Sequence, residues 1–209
     1  MNKTFVGVDY SINSPAICII NQIECSDGKN IRWVNPLFVG FDNRKSSPEL
    51  LREGNESCGI HVYRHTDYEN AYHKYSSMAN KFISMIQYHA AVNESDEVIV
   101  SIEDYIKNIK FGSNNITDMA EAAAFFKSKA YDFGYYAKPV NIVQVKKFAT
   151  GNGNAKKDAM LTHFQKSSGI EFPEISGRDI TKHPLEDFVD AWYICRYTIH
   201  NTNFANNSQ

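Results

Sequence analysis

A short apolar run closed by an acid most limits what this chain can become. Phe5-Val6-Gly7-Val8-Asp9-Tyr10-Ser11 reads as a buried strand with a carboxylate at its end. The pattern returns in Val98-Ile99-Val100-Ser101-Ile102-Glu103, and two further acids stand three apart in Asp187-Phe188-Val189-Asp190-Ala191. Placing four carboxylates beside hydrophobic segments is costly unless cations neutralise them. Asp9 and Glu103 lie side by side if their strands pair, and Asp187 and Asp190, at i and i+3, share one helix face. Docking that face on the strand ends gathers hard oxygen ligands of the kind that suit Mg2+ or Mn2+. Two such ions about 4 Å apart activate a water and stabilise the leaving oxygen in phosphoryl transfer.

The rest of the chain supplies a frame for these acids. Strands are expected over 4–10, 16–22 and 31–39, joined by the Ser14-Pro15 turn and the Asp27-Gly28-Lys29-Asn30 hairpin. Pro36 inside the third marks an edge or a bulge. Residues 40–66, rich in Ser, Glu, Asn, Arg and Gly, read as an irregular exposed insertion. Apolar residues at steps of three and four predict a helix over 69–91, and 97–103 is the fourth strand. A helix over 119–133 is expected behind Asp118 as its cap, then a fifth strand over 140–145. The Gly-rich loop at 150–154 leads into a helix over 155–167, stopped by Gly169. Pro184 suits the first turn of a last helix over 184–200, and 201–209 reads as a frayed polar tail. This order predicts an α/β domain over 1–200. Its plan is a ribonuclease H-like mixed five-stranded sheet, three antiparallel strands first and parallel strands after, flanked by helices.

Several function classes fall away. No run of eighteen apolar residues exists, so no membrane span is expected, and the N-terminus leads straight into a strand rather than a removable signal. Cys18, Cys25, Cys58 and Cys195 are scattered with no C-x-x-C pair, which favours a reducing, cytoplasmic setting. Ser11 has no convincing His-Asp partner for acyl transfer. Gly-Asn-Gly-Asn-Ala-Lys-Lys is not a nucleotide-binding P-loop, and Tyr10-Ser11-Ile12 lacks the glycines that a sugar-kinase or actin-like ATPase places after its first Asp. Cys58, His61 and His65 have no obvious fourth zinc ligand nearby. The net charge is only −2, but residues 107–157 hold nine lysines against three acids. Acidic and basic zones on one chain suit an enzyme that handles metals and phosphates together.

The motifs V-G-V-D-Y-S at 6–11, I-E-D-Y at 102–105 and D-F-V-D-A at 187–191 resemble the acidic motifs of RuvC-type Holliday junction resolvases. Residues 145–157 are similar to that family's loop between the last core strand and the following helix. The resemblance implies that Asp9, Glu103, Asp187 and Asp190 are catalytic and bind two Mg2+ ions per site, with Mn2+ able to substitute. Lys146, Lys147, Lys156 and Lys157 would hold DNA phosphates, joined by the amides of Gly151 and Gly153. Tyr105, Lys107 and Lys110, with Phe111, match a region that enters the junction, where an aromatic can stack on an unpaired base. The implied activity is that of a crossover junction endodeoxyribonuclease. The resemblance further implies a homodimer that would resolve four-way DNA by paired symmetric nicks, leaving 5′-phosphate and 3′-hydroxyl ends. The insertion, and Tyr10-Ser11 where Pro-Gly is common in bacterial members, fit a divergent relative, viral or organellar. Its place would be the cytoplasm (a host's, if viral) or an organelle matrix. Ribonuclease H action on RNA–DNA hybrids, or cleavage of flap DNA, would use the same acids. A non-catalytic scaffold would have no reason to keep all four.

Overall fold

The computed structural model describes residues 1–25, 30–42, 50–54, 58–104, 116–170, 172 and 184–207. In chain order the strands are β1 (Lys3–Asp9), β2 (Ala16–Glu24), β3 (Ile31–Trp33), β4 (Leu37–Asp42), β5 (Leu50–Gly54), β6 (Gly59–Arg64), β7 (Glu97–Glu103) and β8 (Ala137–Val140). The helices are α1 (Ala71–Val92), α2 (Ile116–Asp132), α3 (Ile142–Thr150), α4 (Lys157–Ser168) and α5 (Leu185–Asn207). The strands form one sheet in the order β5-β6-β4-β2-β1-β7-β8, with β3 paired to β2.

β1 is central, antiparallel to β2 and parallel to β7. Every residue of β1 from Thr4 to Asp9 is buried, because helices cover both faces of the sheet. Alternation along β1 assigns the two layers. Val6 and Val8, with Tyr10 just beyond the strand, pack with Met78 and Phe82 of α1 and with Phe126 of α2. Phe5, on the opposite face, packs with Phe164 of α4 and with Phe188, Ala191 and Cys195 of α5. Fully buried chains such as Phe82, Phe126 and Phe188 contribute roughly 1.5–3 kcal/mol each. Tyr10, directly after Asp9, is also fully buried, with its ring 5.3 Å from Phe126 and 6.0 Å from Phe82. That anchor fixes the end of β1 from which Asp9 projects.

The mixed sheet and flanking helices match the expected plan, with eight strands among the described residues where five were expected. The stretch 40–66 is not simply irregular: it contains the end of β4, then β5 and β6, which widen the sheet. Gly-Ile-His-Val-Tyr-Arg at 59–64 buries Ile60, His61 and Val62. The expected third strand is divided at Pro36 into β3 and β4. The expected fifth strand ends where it was to begin. β8 stops at Val140, and Asn141 caps α3, its side chain accepting from Val143 N–H at 2.9 Å. α2 starts at Ile116, so Asp118 sits in its first turn rather than at the cap. Residues 201–207, expected to fray, continue α5. Gly169 ends α4 as expected.

Candidate active site

Asp9 and Glu103 become neighbours through strand register. β1 and β7 run parallel with Gly7 beside Ser101 and Val8 beside Ile102, so the next residues of the two strands are Asp9 and Glu103. Registered residues of adjacent strands point to the same face. Gly7 and Asp9 therefore share the face covered by α5.

Gly7 is what lets α5 come close. A methyl group at Gly7 would stand 2.2 Å from the Ala191 carbonyl oxygen and 2.3 Å from the Cys195 nitrogen. Cys195 Sγ donates to the Phe5 carbonyl at 3.5 Å. The helix therefore runs from the Asp9 end of β1 back toward its start. Residues preceding Ala191 lie toward Asp9, and these include Asp187 and Asp190. Asp187 is 4% exposed and Asp9 8%, a depth of burial that carboxylates keep only with cationic or hydrogen-bonding partners.

The electrostatics record the crowding. Burial first, and then the charge of Asp190, push the Glu103 carboxyl up to about 7, with Lys146 and Lys157 pulling it back. Burial pushes Asp190 up to about 6; Lys157 and Lys146 oppose this, while Asp187 and Glu186 add to it. Lys157 Nζ lies 3.0 Å from Glu186 Oε2 and 3.6 Å from Asp187 Oδ1. Burial draws the Lys157 ammonium down, but Asp187, Glu186 and Asp190 together hold it above its ordinary value.

With the side chains as they stand, no three His, Cys, Asp or Glu residues among those described close on one point as a metal-ligand set. The donor chemistry nevertheless fits a hard divalent cation. Burial first, and then neighbouring negative charge (Asp190 on Glu103; Asp187 and Glu186 on Asp190), favours the protonated form of both carboxylates, and a cation would oppose that. Lys157 supplies part of that positive charge.

Comparison with solved structures gives this arrangement a precedent in architecture. The Thermus thermophilus RuvC structure matches over 97% of this chain and 97% of its own, with a TM-score of 0.57 at 13% identity. T. thermophilus RuvC in complex with a Holliday junction substrate matches over 93% and 90%, with a TM-score of 0.53 at 14% identity. The fold is that of RuvC. The yeast mitochondrial Holliday junction resolvase Ydc2 matches over 98% and 83%, with a TM-score of 0.46 at 12% identity. No protein-family model matches the sequence, and no curated protein matches it.

On this RuvC fold the expected phosphate-binding lysines divide into two pairs. Lys146 on α3 and Lys157 at the start of α4 act electrostatically on Glu103 and Asp190. Lys147 and Lys156 are exposed on the same two-helix unit. The loop between α3 and α4 is fixed by its glycines. Gly151 takes the left-handed conformation at φ +78° and donates its amide to the Lys147 carbonyl at 2.8 Å. That amide closes the helix, whereas the sequence resemblance implies that it faces a DNA phosphate. At Gly153 a methyl would come within 2.6 Å of the Val143 side chain, so close packing on α3 explains this glycine.

Tyr105, Lys107 and Lys110 lie outside the described residues. Glu186 was not singled out from the sequence, yet it pairs with Lys157. Its position beside Asp187 at the start of α5 was the available signal. A cavity of about 920 Å3 lined by Glu94, Asp96, Tyr135 and Tyr136 lies toward the opposite ends of β7 and β8 and includes none of the four acids. Cys58, His61 and His65 form no metal group, and none of the four cysteines is in a disulfide. Among the described residues no helix is long and apolar enough to cross a membrane.

Proposed function

We propose that this protein is a divalent-metal-dependent endonuclease that resolves four-way DNA junctions. The observation that carries the reading is the convergence of β1, β7 and α5. Two strands in register end in Asp9 and Glu103, and a helix seated on Gly7 brings Asp187 and Asp190 to the same end. The RuvC architecture, seen in one neighbour together with a Holliday junction, supports the choice of substrate.

In this reading Asp9, Glu103, Asp187 and Asp190 would hold two Mg2+ ions, with Mn2+ as a substitute. When bound, such ions supply an activated water and stabilise the leaving oxygen. The four acids fix where the scissile phosphate sits. Lys146 and Lys157 bring positive charge to that position, countering both the carboxylates and the incoming phosphate. Lys147, Lys156 and Lys157 line the approach as phosphate contacts that position the DNA without reading its sequence. Tyr105, Lys107 and Lys110 would extend that surface. Attack on the scissile phosphorus leaves a 5′-phosphate and a 3′-hydroxyl. Paired symmetric nicks require two sites related by a two-fold axis, hence a homodimer. The protein would act in the cytoplasm.

The test incubates the pure protein and Mg2+ with a synthetic four-way junction, a flap, an RNA–DNA hybrid and a linear duplex. Paired nicks in the junction alone support the reading. Preferential cutting of the hybrid or the flap would replace it with a ribonuclease H-like or flap-directed activity of the same acids.

A further inference from the structure

The loop that joins β1 to β2, residues 10–15, leaves the sheet directly from Asp9. Tyr10 anchors one end in the core. At the other end, Phe41 N–H of β4 donates to the Pro15 carbonyl at 3.1 Å. Within the loop, Ser14 N–H donates to Ser11 Oγ at 3.0 Å. The tip, Asn13, is exposed, yet it is held from outside at two points. His65 Nε2 lies 2.6 Å from the Asn13 carbonyl oxygen, and Lys74 Nζ donates to Asn13 Oδ1 at 2.8 Å. A carbonyl oxygen only accepts, so Nε2 carries the hydrogen.

The holders are themselves braced. The His65 ring stacks on Phe41, with centroids 5.1 Å apart and 26° between planes, and Phe41 is fully buried. His65 Nδ1 lies 3.1 Å from Tyr68 Oη. His65 follows β6 directly, and Lys74 stands in the first turn of α1. The chain segment that widens the sheet therefore returns to grip the loop beside the first catalytic acid. A loop tip in water needs no such clamp for its own stability. An imidazole and a half-buried ammonium brought together on one exposed asparagine have to be accounted for by position.

We infer that His65 and Lys74 are positioning residues: they fix the loop following Asp9 and, through it, the orientation of the Asp9 carboxylate. This inference rests on the nuclease reading above for its chemical consequence. It assigns a task to the β6–α1 segment that the acidic site alone does not suggest.

The experiment compares His65→Phe, His65→Gln and Lys74→Met in the full chain. Phenylalanine keeps the stack on Phe41 and loses the donor, whereas glutamine keeps a donor and loses the ring. Three readouts are taken: hydrogen exchange of the amides of residues 10–14, Mn2+ affinity, and kcat against KM for nicking. His65→Phe and Lys74→Met should each speed exchange about fivefold. They should weaken Mn2+ binding and lower kcat about tenfold or more, with KM and the melting temperature unchanged. His65→Gln should restore most of each loss.

Unchanged exchange in His65→Phe overturns the inference. So do equal losses in His65→Phe and His65→Gln, and so does a raised KM with kcat intact. A wild-type protein that binds Mn2+ but cuts no substrate would defeat the nuclease reading instead. The clamp would then still stand or fall on exchange and Mn2+ affinity.

Discussion

Gly7 and Ala191 are in backbone contact: a methyl group on the glycine would lie 2.2 Å from the Ala191 carbonyl oxygen. This one approach seats the helix carrying Asp187 and Asp190 over the strand carrying Asp9. The atoms that a side chain would meet include backbone O and N of α5, which cannot rotate away.

Gly7→Ala should therefore lift α5 off β1. Overpacking of this kind costs about 1–3 kcal/mol or more. For a chain of this size the melting temperature should fall by roughly 5–10 °C. Nicking should be lost even well below that temperature, because the two acid pairs separate. Gly40→Ala is the control. Its added methyl meets the buried Phe188 ring at 2.7 Å, a side-chain contact in place of the direct clash with helix backbone at Gly7. It should cost less and leave measurable activity, judged by thermal melting and junction cleavage on the two variants in parallel.

Stability of the metal-free protein should fall as pH rises. Glu103 and Asp190 hold their protons more tightly folded than unfolded, at about 7 and about 6. The stability they contribute is full below the unfolded carboxylate range, roughly pH 4, and is lost as pH climbs through those values. The change from pH 4 to pH 8 is on the order of a few kcal/mol. Mg2+ should restore the loss at pH 8, and Asp190→Asn should flatten the profile. Melting curves across that range in chelator and in Mg2+ check both statements; a metal-free protein that gains stability toward pH 8 would contradict them.

The lysines should separate by role. Lys147→Ala and Lys156→Ala each remove an exposed lysine proposed to contact DNA phosphate, so each should reduce the slope of log affinity against log salt by about 0.9 and weaken junction binding. Lys157→Met should weaken junction binding too, but it also strips a cation from Glu186 and Asp187. At pH 8 it should tighten Mn2+ binding, which the other two variants leave unchanged. Filter binding at several salt concentrations and a Mn2+ titration distinguish the two groups.

The parts of this site that could be read in the sequence are those where one residue type does one job. Val98 to Ile102 before Glu103, and Val6 to Val8 before Asp9, announce strands whose acids have only one end to occupy. The i, i+3 spacing of Asp187 and Asp190 announces a helix face. Gly7, on the Asp9 face, was visible as a small residue, but its contact with Ala191 depends on where α5 docks. The errors have local causes. Asn141 reads as one polar residue in an apolar run, yet its side chain accepts from Val143 N–H and turns that run into α3. β8 is a four-residue edge strand containing Pro139, too short to show alternation. β6 lies in a stretch whose Ser, Asn, Glu and Arg content suggested a loop, although Ile60 and Val62 alternate as a strand requires. Lys157 looked like a phosphate ligand and also pairs with Asp187, because α4 and α5 meet only in three dimensions.

The central claim is that Asp9, Glu103, Asp187 and Asp190 together hold divalent cations. Its most direct test is a Mn2+ titration followed by electron paramagnetic resonance. It would use the wild-type chain and the Asp9→Asn, Glu103→Gln, Asp187→Asn and Asp190→Asn variants at pH 8, with folding checked by circular dichroism. The free Mn2+ signal should be depleted by the wild type, and each folded variant should bind fewer ions or bind them more weakly. Wild-type protein that leaves the signal untouched, or four variants that deplete it as the wild type does, would contradict the account.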